Sequence, residues 1–367
     1  MHPQRVAGLC LWIIVSSVAA GAQQRSDAGG PPATPSTTTV TDYTYPGSDF
    51  LPLRRVERRT ASGGRKVIME TTEAPSIEGR LEPVEEDVTD TTRVGNASTR
   101  TQIDVFYFSP QRQRQLAATT QSEQETRPNG VTTNVERTWV ADLDGHLILS
   151  TGYSEQQRVV SPGVQQTEAT MLLQGPERSL REVERTESTE HQVSPAVVRH
   201  DSTHFVRDVL NGRWVPVETH SGQTRGAGPT ERVEEETIQL PNLNGTLVLS
   251  DKVVTRTSES NGENRVVIET YSQGAEGFVR NDRHLALQQR VASSTTATAD
   301  GGQSTIEEIE ERNPMAPSDP MRVTRRTVVT VRSNGRGGWV SERQMFERDQ
   351  NDRMFLVTKD TEVKTEK

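Results

Sequence analysis

Two histidines four residues apart, His200 and His204, come nearest in this sequence to a metal-ligand pair. On a helix that spacing sets both imidazoles on one face, within reach of one ion. On a strand they also share a face, but they stand about 13 Å apart at ~3.4 Å per residue, too far to hold an ion together. Asp142-Leu143-Asp144-Gly145 begins as a calcium loop begins. It lacks the downstream oxygens and the glutamate at the twelfth position. Its counterpart Asn242-Leu243-Asn244-Gly245 has amides where the first copy has carboxylates. A turn capped by its own Asx side chain explains both copies, so no metal is expected at Asp142 and Asp144.

Other chemistry is scarce. The sequence contains no nucleophile elbow, zinc-protease helix motif, dinucleotide fingerprint or phosphate-binding loop. Carboxylate pairs cannot be singled out among 51 acidic residues. Cys10 is the only cysteine, and it falls inside an apolar N-terminal stretch, "VAGLCLWIIVSSVAA". That stretch follows Arg5 and ends at Ala20-Gly21-Ala22, the pattern of a signal peptide over residues 1–22. A mature chain without cysteine has no disulfide, zinc-thiolate site or thiol nucleophile. The expectation is a non-enzyme without a cofactor or bound metal.

Charge narrows the partners. With a net charge of −9, the chain suits neither nucleic acid nor anionic lipid. Hydrophobic residues make up 31% and aromatics 4%, so the fold must bury little per residue. Residues 23–42 are a flexible Pro, Ser, Thr and Gly leader.

From residue 43 to 367 the turn signals are periodic. Ser62-Gly63-Gly64, Gly95-Asn96, Asn129-Gly130, Pro162-Gly163, Ser194-Pro195, Gly228-Pro229 and Asn261-Gly262 recur about every 33 residues, as turn dipeptides do between hairpins. A second set falls midway, at Gly79, Gly145, Gly175, Gly212, Gly245 and Gly277, with a further copy around Gly338. The intervening runs are rich in Val, Thr, Ile and Arg. Asn-Gly or Asp-Gly between such runs signals a hairpin, because its turn needs positive φ. "STIEEIEER" (304–312) alone could form a helical turn or two.

The spacing predicts an all-β fold, an extended antiparallel meander of tandem β-hairpins, about 33 residues per two-strand repeat. A β-propeller of four or five blades is the alternative. A membrane barrel is not expected, since polar runs such as "SEQQRVV" lie in mid-strand. Trp139, Trp214 and Trp339 stand within six residues of tip glycines and could make tip contacts. The expected function is that of an exported structural or surface-binding repeat protein, periplasmic or extracellular. Its tips would bind another envelope protein or a polysaccharide, with no membrane span in the mature chain. The alternative is a propeller-like receptor or enzyme with a central pocket.

Overall fold

The computed structural model describes residues 36–44, 51–61, 65–76, 78–94, 97–109, 111–175, 177–226, 228, 230–273, 285–313, 316, 318–335, 338–349 and 352–366. Side chains are described for Val56 and from Arg65 to Val363 within those segments. The chain divides into Met1–Thr34, which lies outside the described residues, and Pro35–Lys367. The signal peptide and most of the leader expected from the sequence therefore fall outside the described residues.

All the described regular structure is strand. The first ten strands are β1 (Ser36–Thr44), β2 (Leu51–Ala61), β3 (Arg65–Pro75), β4 (Leu81–Val94), β5 (Ser98–Phe108), β6 (Arg114–Thr126), β7 (Thr132–Ala141), β8 (Leu147–Ser161), β9 (Val164–Gln174) and β10 (Leu180–Ser194). The second ten are β11 (Val197–Arg207), β12 (Trp214–Gly226), β13 (Glu231–Pro241), β14 (Leu247–Ser260), β15 (Glu263–Gln273), β16 (Leu285–Ala297), β17 (Gln303–Glu311), β18 (Arg322–Ser333), β19 (Trp339–Arg348) and β20 (Met354–Glu366). Each strand pairs antiparallel with the next, so the meander expected from the turn spacing is present. The segment that could have been helical is β17, paired with β16 and β18 along its whole length.

The ends of the meander meet. β1 pairs with β2 on one side and with β20 on the other, through Ser36↔Glu366 to Thr44↔Thr358. The sheet is therefore a closed ring, not the extended array that the repeat suggested. Nor is it a propeller, since all twenty strands belong to one sheet. Closure also removes the free edges on which strands of separate chains pair. Twenty strands ~4.8 Å apart, tilted by the usual 35–45°, make a wall about 20 Å in radius. Side chains cannot fill so wide a barrel.

The wall is one layer thick. The chain exposes 25705 Å², whereas a compact protein of this length exposes about 15,000 Å². Among the described residues only Val233, Val254, Val291 and Ile309 are buried hydrophobics, and no side chain falls below 2% exposure. Cohesion comes instead from the ladder and from cross-strand pairs on each face. Thr120 and Thr138 hydroxyls lie 2.9 Å apart, as do those of Thr295 and Thr305.

One irregularity repeats around the ring. Turns from odd to even strands form one rim, here rim A; the others form rim B. Every even strand leaving rim A carries one extra, unpaired residue: Leu53, Val84, Ala117, Ser150, Val183, Val217, Ser250, Gln288, Thr324 and Val357. Such bulges bend a strand and raise its twist, and they concentrate at barrel rims. The carbonyl just before a bulge loses its regular ladder position, and a neighbouring side chain takes it up. Gln273 Nε2 donates to Leu249 O (2.7 Å), Arg312 Nε to Leu287 O (2.8 Å) and Arg348 Nε to Val323 O (2.5 Å).

Candidate functional site

Several of the described rim A turns share one construction. Asp142 N donates to His146 O (2.9 Å), and Gly145 N donates to Asp142 O (3.0 Å). Asp142 Oδ1 accepts from the backbone N–H groups of Asp144 (2.9 Å) and His146 (2.8 Å). Asn242 does the same for Asn244 (2.9 Å) and Thr246 (3.0 Å). Gly145 at φ 80° and Gly245 at φ 75° take the left-handed step that these turns require. Gly79 (φ 73°) and Gly212 (φ 71°) also lie at rim A. Gly277 lies outside the described residues. Gly338 stands at rim B, between β18 and β19, where the left-handed residue is Gly335 (φ 71°).

The turn cap occupies Asp142, and its amide twin shows that no charge is needed for it. The carboxylates of Asp142 and Asp144 and the His146 ring could gather around an ion, but all three residues are exposed.

Three rim A turns carry aliphatic tips, whereas others carry charge, as at Arg80, Arg112, Arg178 and Arg353. Leu143 (107% exposed), Leu243 (104%), Val209 (97%) and Leu210 (93%) project from the aliphatic turns entirely into solvent. Nothing in a capped turn requires an aliphatic residue there. Below the tips, the strand ends are apolar on both faces: Trp139-Val140-Ala141 with Leu147-Ile148-Leu149, Met171-Leu172-Leu173 with Leu180, Phe205-Val206 with Trp214-Val215. Through successive register partners, Tyr107, Val140, Leu173, Val215, Val248 and Phe355 share one face, each an exposed large hydrophobic. Side chains splay on the convex side of a closed sheet and crowd on its concave side. We assign the face of this exposed row, part of an apolar collar, as the outer face of the ring.

The opposite face carries aromatic and arginine contacts at the same level. The Arg114 guanidinium lies 3.5 Å from the Phe106 ring centre, and Arg185 lies 5.4 Å from both the Phe205 and Trp214 rings. Trp139 is paired in register with Thr119 and Leu149 on this face. Trp339 opens β19 at rim B, away from the other two tryptophans.

Beyond the collar, this inner face is a lattice of ion pairs. Glu269, 7% exposed, accepts from Arg256 Nη1 (2.6 Å), Arg290 Nη2 (2.9 Å) and Tyr271 OH (3.0 Å). Arg290 also reaches Glu310 (3.2 Å), and Lys252 reaches Glu235 (3.2 Å). Burial pushes the Glu269 carboxyl up, yet the hydrogen bonds from Arg256, Arg290 and Tyr271 outweigh it and hold the group below its ordinary value. The arrangement holds paired charge on a polar wall.

No protein-family model and no curated protein matches the sequence. Solved structures similar to it include Pseudomonas aeruginosa OccK3 (OpdO), at 9% identity and a TM-score of 0.48, over 90% of this chain and 94% of that one. The siderophore receptor PirA of Pseudomonas aeruginosa is similar at 11% identity and a TM-score of 0.45, over 92% and 81% of the two chains. The outer membrane protein opdK of Pseudomonas aeruginosa is similar at 8% identity and 0.38, over 91% and 98%.

Several expectations are corrected at this point. A secreted or periplasmic structural repeat protein, binding an envelope protein or polysaccharide by its tips, was expected on the premise of an open sheet. The closed ladder between β1 and β20 removes that premise. The propeller-like receptor with a central pocket falls with the propeller. The expectation of no membrane span is withdrawn too. Among the described residues no helix is long and apolar enough to cross a membrane, but closed barrels meet membranes with strands. What the sequence concealed is the position of its exposed large hydrophobics, most of which stand near rim A.

Proposed function

We propose that the chain is an exported envelope barrel that seats its apolar rim in a membrane and provides a polar passage for hydrophilic solutes. The observation that carries this reading is the collar of rim A, with Leu143, Val209, Leu210 and Leu243 fully exposed at its tips. Each such side chain gains about 1.5–3 kcal/mol on leaving water. About three strand residues and a turn give the collar a depth of roughly 10 Å, the depth to which amphipathic elements enter the headgroup and acyl boundary. A band that crosses the hydrocarbon is nearer ~25 Å tall, so the charged shaft of the barrel stands in water. The Arg–carboxylate lattice on the inner face suits the passage of polar solutes. The signal-like segment at residues 1–22 supports export to the envelope.

Flotation with phosphatidylcholine vesicles tests the seat. The protein should rise with the vesicles, and the double variant Leu143→Asp/Leu243→Asp should lose at least about tenfold in partition, given the transfer cost of two leucines. A protein that stays with the soluble fraction, or a double variant that floats equally well, overturns the reading.

A further inference from the structure

His200 and His204 stay apart on β11, but the sheet gives His200 a different neighbour. Its register partner on β12 is Gly222, whose own partner on β13 is Glu236. A Cβ on Gly222 would lie 2.3 Å from His200 Nε2 and 2.4 Å from Cε1. The imidazole thus lies across β12 through the space the glycine leaves, with Nε2 3.8 Å from Glu236 Oε1. Two residues along β12, His220 Nδ1 lies 2.8 Å from the same carboxylate oxygen. Its Nε2 lies 2.8 Å from Glu218 Oε1. Glycine weakens a strand interior, and where it occurs it often marks a close approach. Here the approach is made by His200.

We infer that His200, His220 and Glu236 form a site for a divalent first-row transition metal of the zinc class. Such ions take imidazole nitrogen and carboxylate oxygen at 2.0–2.2 Å, so adjacent ligand atoms of a tetrahedral shell stand about 3.4 Å apart. The contacts at Glu236 Oε1, 2.8 and 3.8 Å, lie on either side of that value. Both imidazoles are 28% exposed; the two nitrogens that face Glu236 stand more than 4.8 Å apart, so ion binding requires a ring to turn inward. Glu218 supplies the carboxylate that orients a metal-bound histidine through its other nitrogen. Calcium and magnesium, which prefer oxygen ligands, do not suit a site with two imidazoles. His204 is not part of it, since its ring contacts Thr186 Oγ1 (3.1 Å) and Glu184 (3.7 Å) on β10.

Titration calorimetry of the chelator-treated protein with zinc chloride tests the site. One ion should bind per chain, and His200→Gln or Glu236→Gln should lower the affinity at least tenfold. Gly222→Ala keeps every donor but fills the space under His200, and it should weaken binding as His200→Gln does. Glu218→Gln should cost about tenfold or somewhat more, as loss of an orienting carboxylate does. Circular dichroism shows whether each variant keeps its strand content. The competing site is the exposed Asp142, Asp144 and His146 group. Absence of binding in the native protein, or loss of binding in Asp142→Asn/Asp144→Asn but not in the His200 and Glu236 variants, overturns the inference.

Discussion

Val40 of the first strand and Glu362 of the last are direct partners in an antiparallel ladder, although more than three hundred residues separate them. This pairing turns a meander into a barrel. Directly opposed residues in such a ladder have Cβ atoms ~4.5–5.5 Å apart, close enough for a disulfide after small adjustment. Cys10 is the only native cysteine, so the double variant Val40→Cys/Glu362→Cys has a nearly clean background. Mild oxidation should crosslink it within one chain and change its mobility on a non-reducing gel. An uncrosslinked chain with normal strand content would mean an open sheet.

The two faces of the wall can be told apart by neighbouring residues of β15. Val267 is a register partner of Arg256 and lies on the face of Glu269; Ile268 is a partner of Val291 on the other face. In a barrel of about 20 Å radius the first should face the lumen and the second the surroundings. A small hydrophilic maleimide should label both Val267→Cys and Ile268→Cys. A maleimide on a polymer wider than the lumen should label Ile268→Cys at an unchanged rate and Val267→Cys much more slowly. Equal rates with the wide reagent would reject the assignment of faces.

Glu269 should make the wall acid-sensitive. Its carboxyl is held below the ordinary value in the fold, so its contribution is present at neutral pH and is lost as pH falls through that lowered value. Glu269→Gln leaves Arg256 and Arg290 without their shared carboxylate and should cost about 1.5–3 kcal/mol at neutral pH, the range for hydrogen bonds to charged groups. The gap between native and variant stability, read from urea unfolding, should close on acidification below the usual glutamate range. A gap that stays constant with pH would assign the loss to packing instead of charge.

Much of the fold was legible in the sequence because turn chemistry is local. Gly145 and Gly245 need positive φ whatever surrounds them, and Asp142 and Asn242 cap their own turns. Such signals at a 33-residue period mark strands and their order. The collar was legible in part, for the leucines of "DLDG" and "NLNG" occupy turn positions where no packing calls for them. Their weight appears only when apolar residues are counted by distance from a turn, because along the whole chain they are diluted to 31%.

Closure was not legible. It depends on tilt and stagger summed over twenty strands, and no local residue encodes whether β20 returns to β1. The ten bulges were equally silent, since residues as different as Val84, Ser150 and Gln288 occupy them. A bulge is a property of register between two strands, not of the extra residue. The histidines show the same division. Sequence kept His200 from His204, because rise along a strand fixes their separation. That His200 reaches over Gly222 toward Glu236, the carboxylate that His220 also contacts, was decided by the lateral register of β11, β12 and β13, which only the assembled sheet sets.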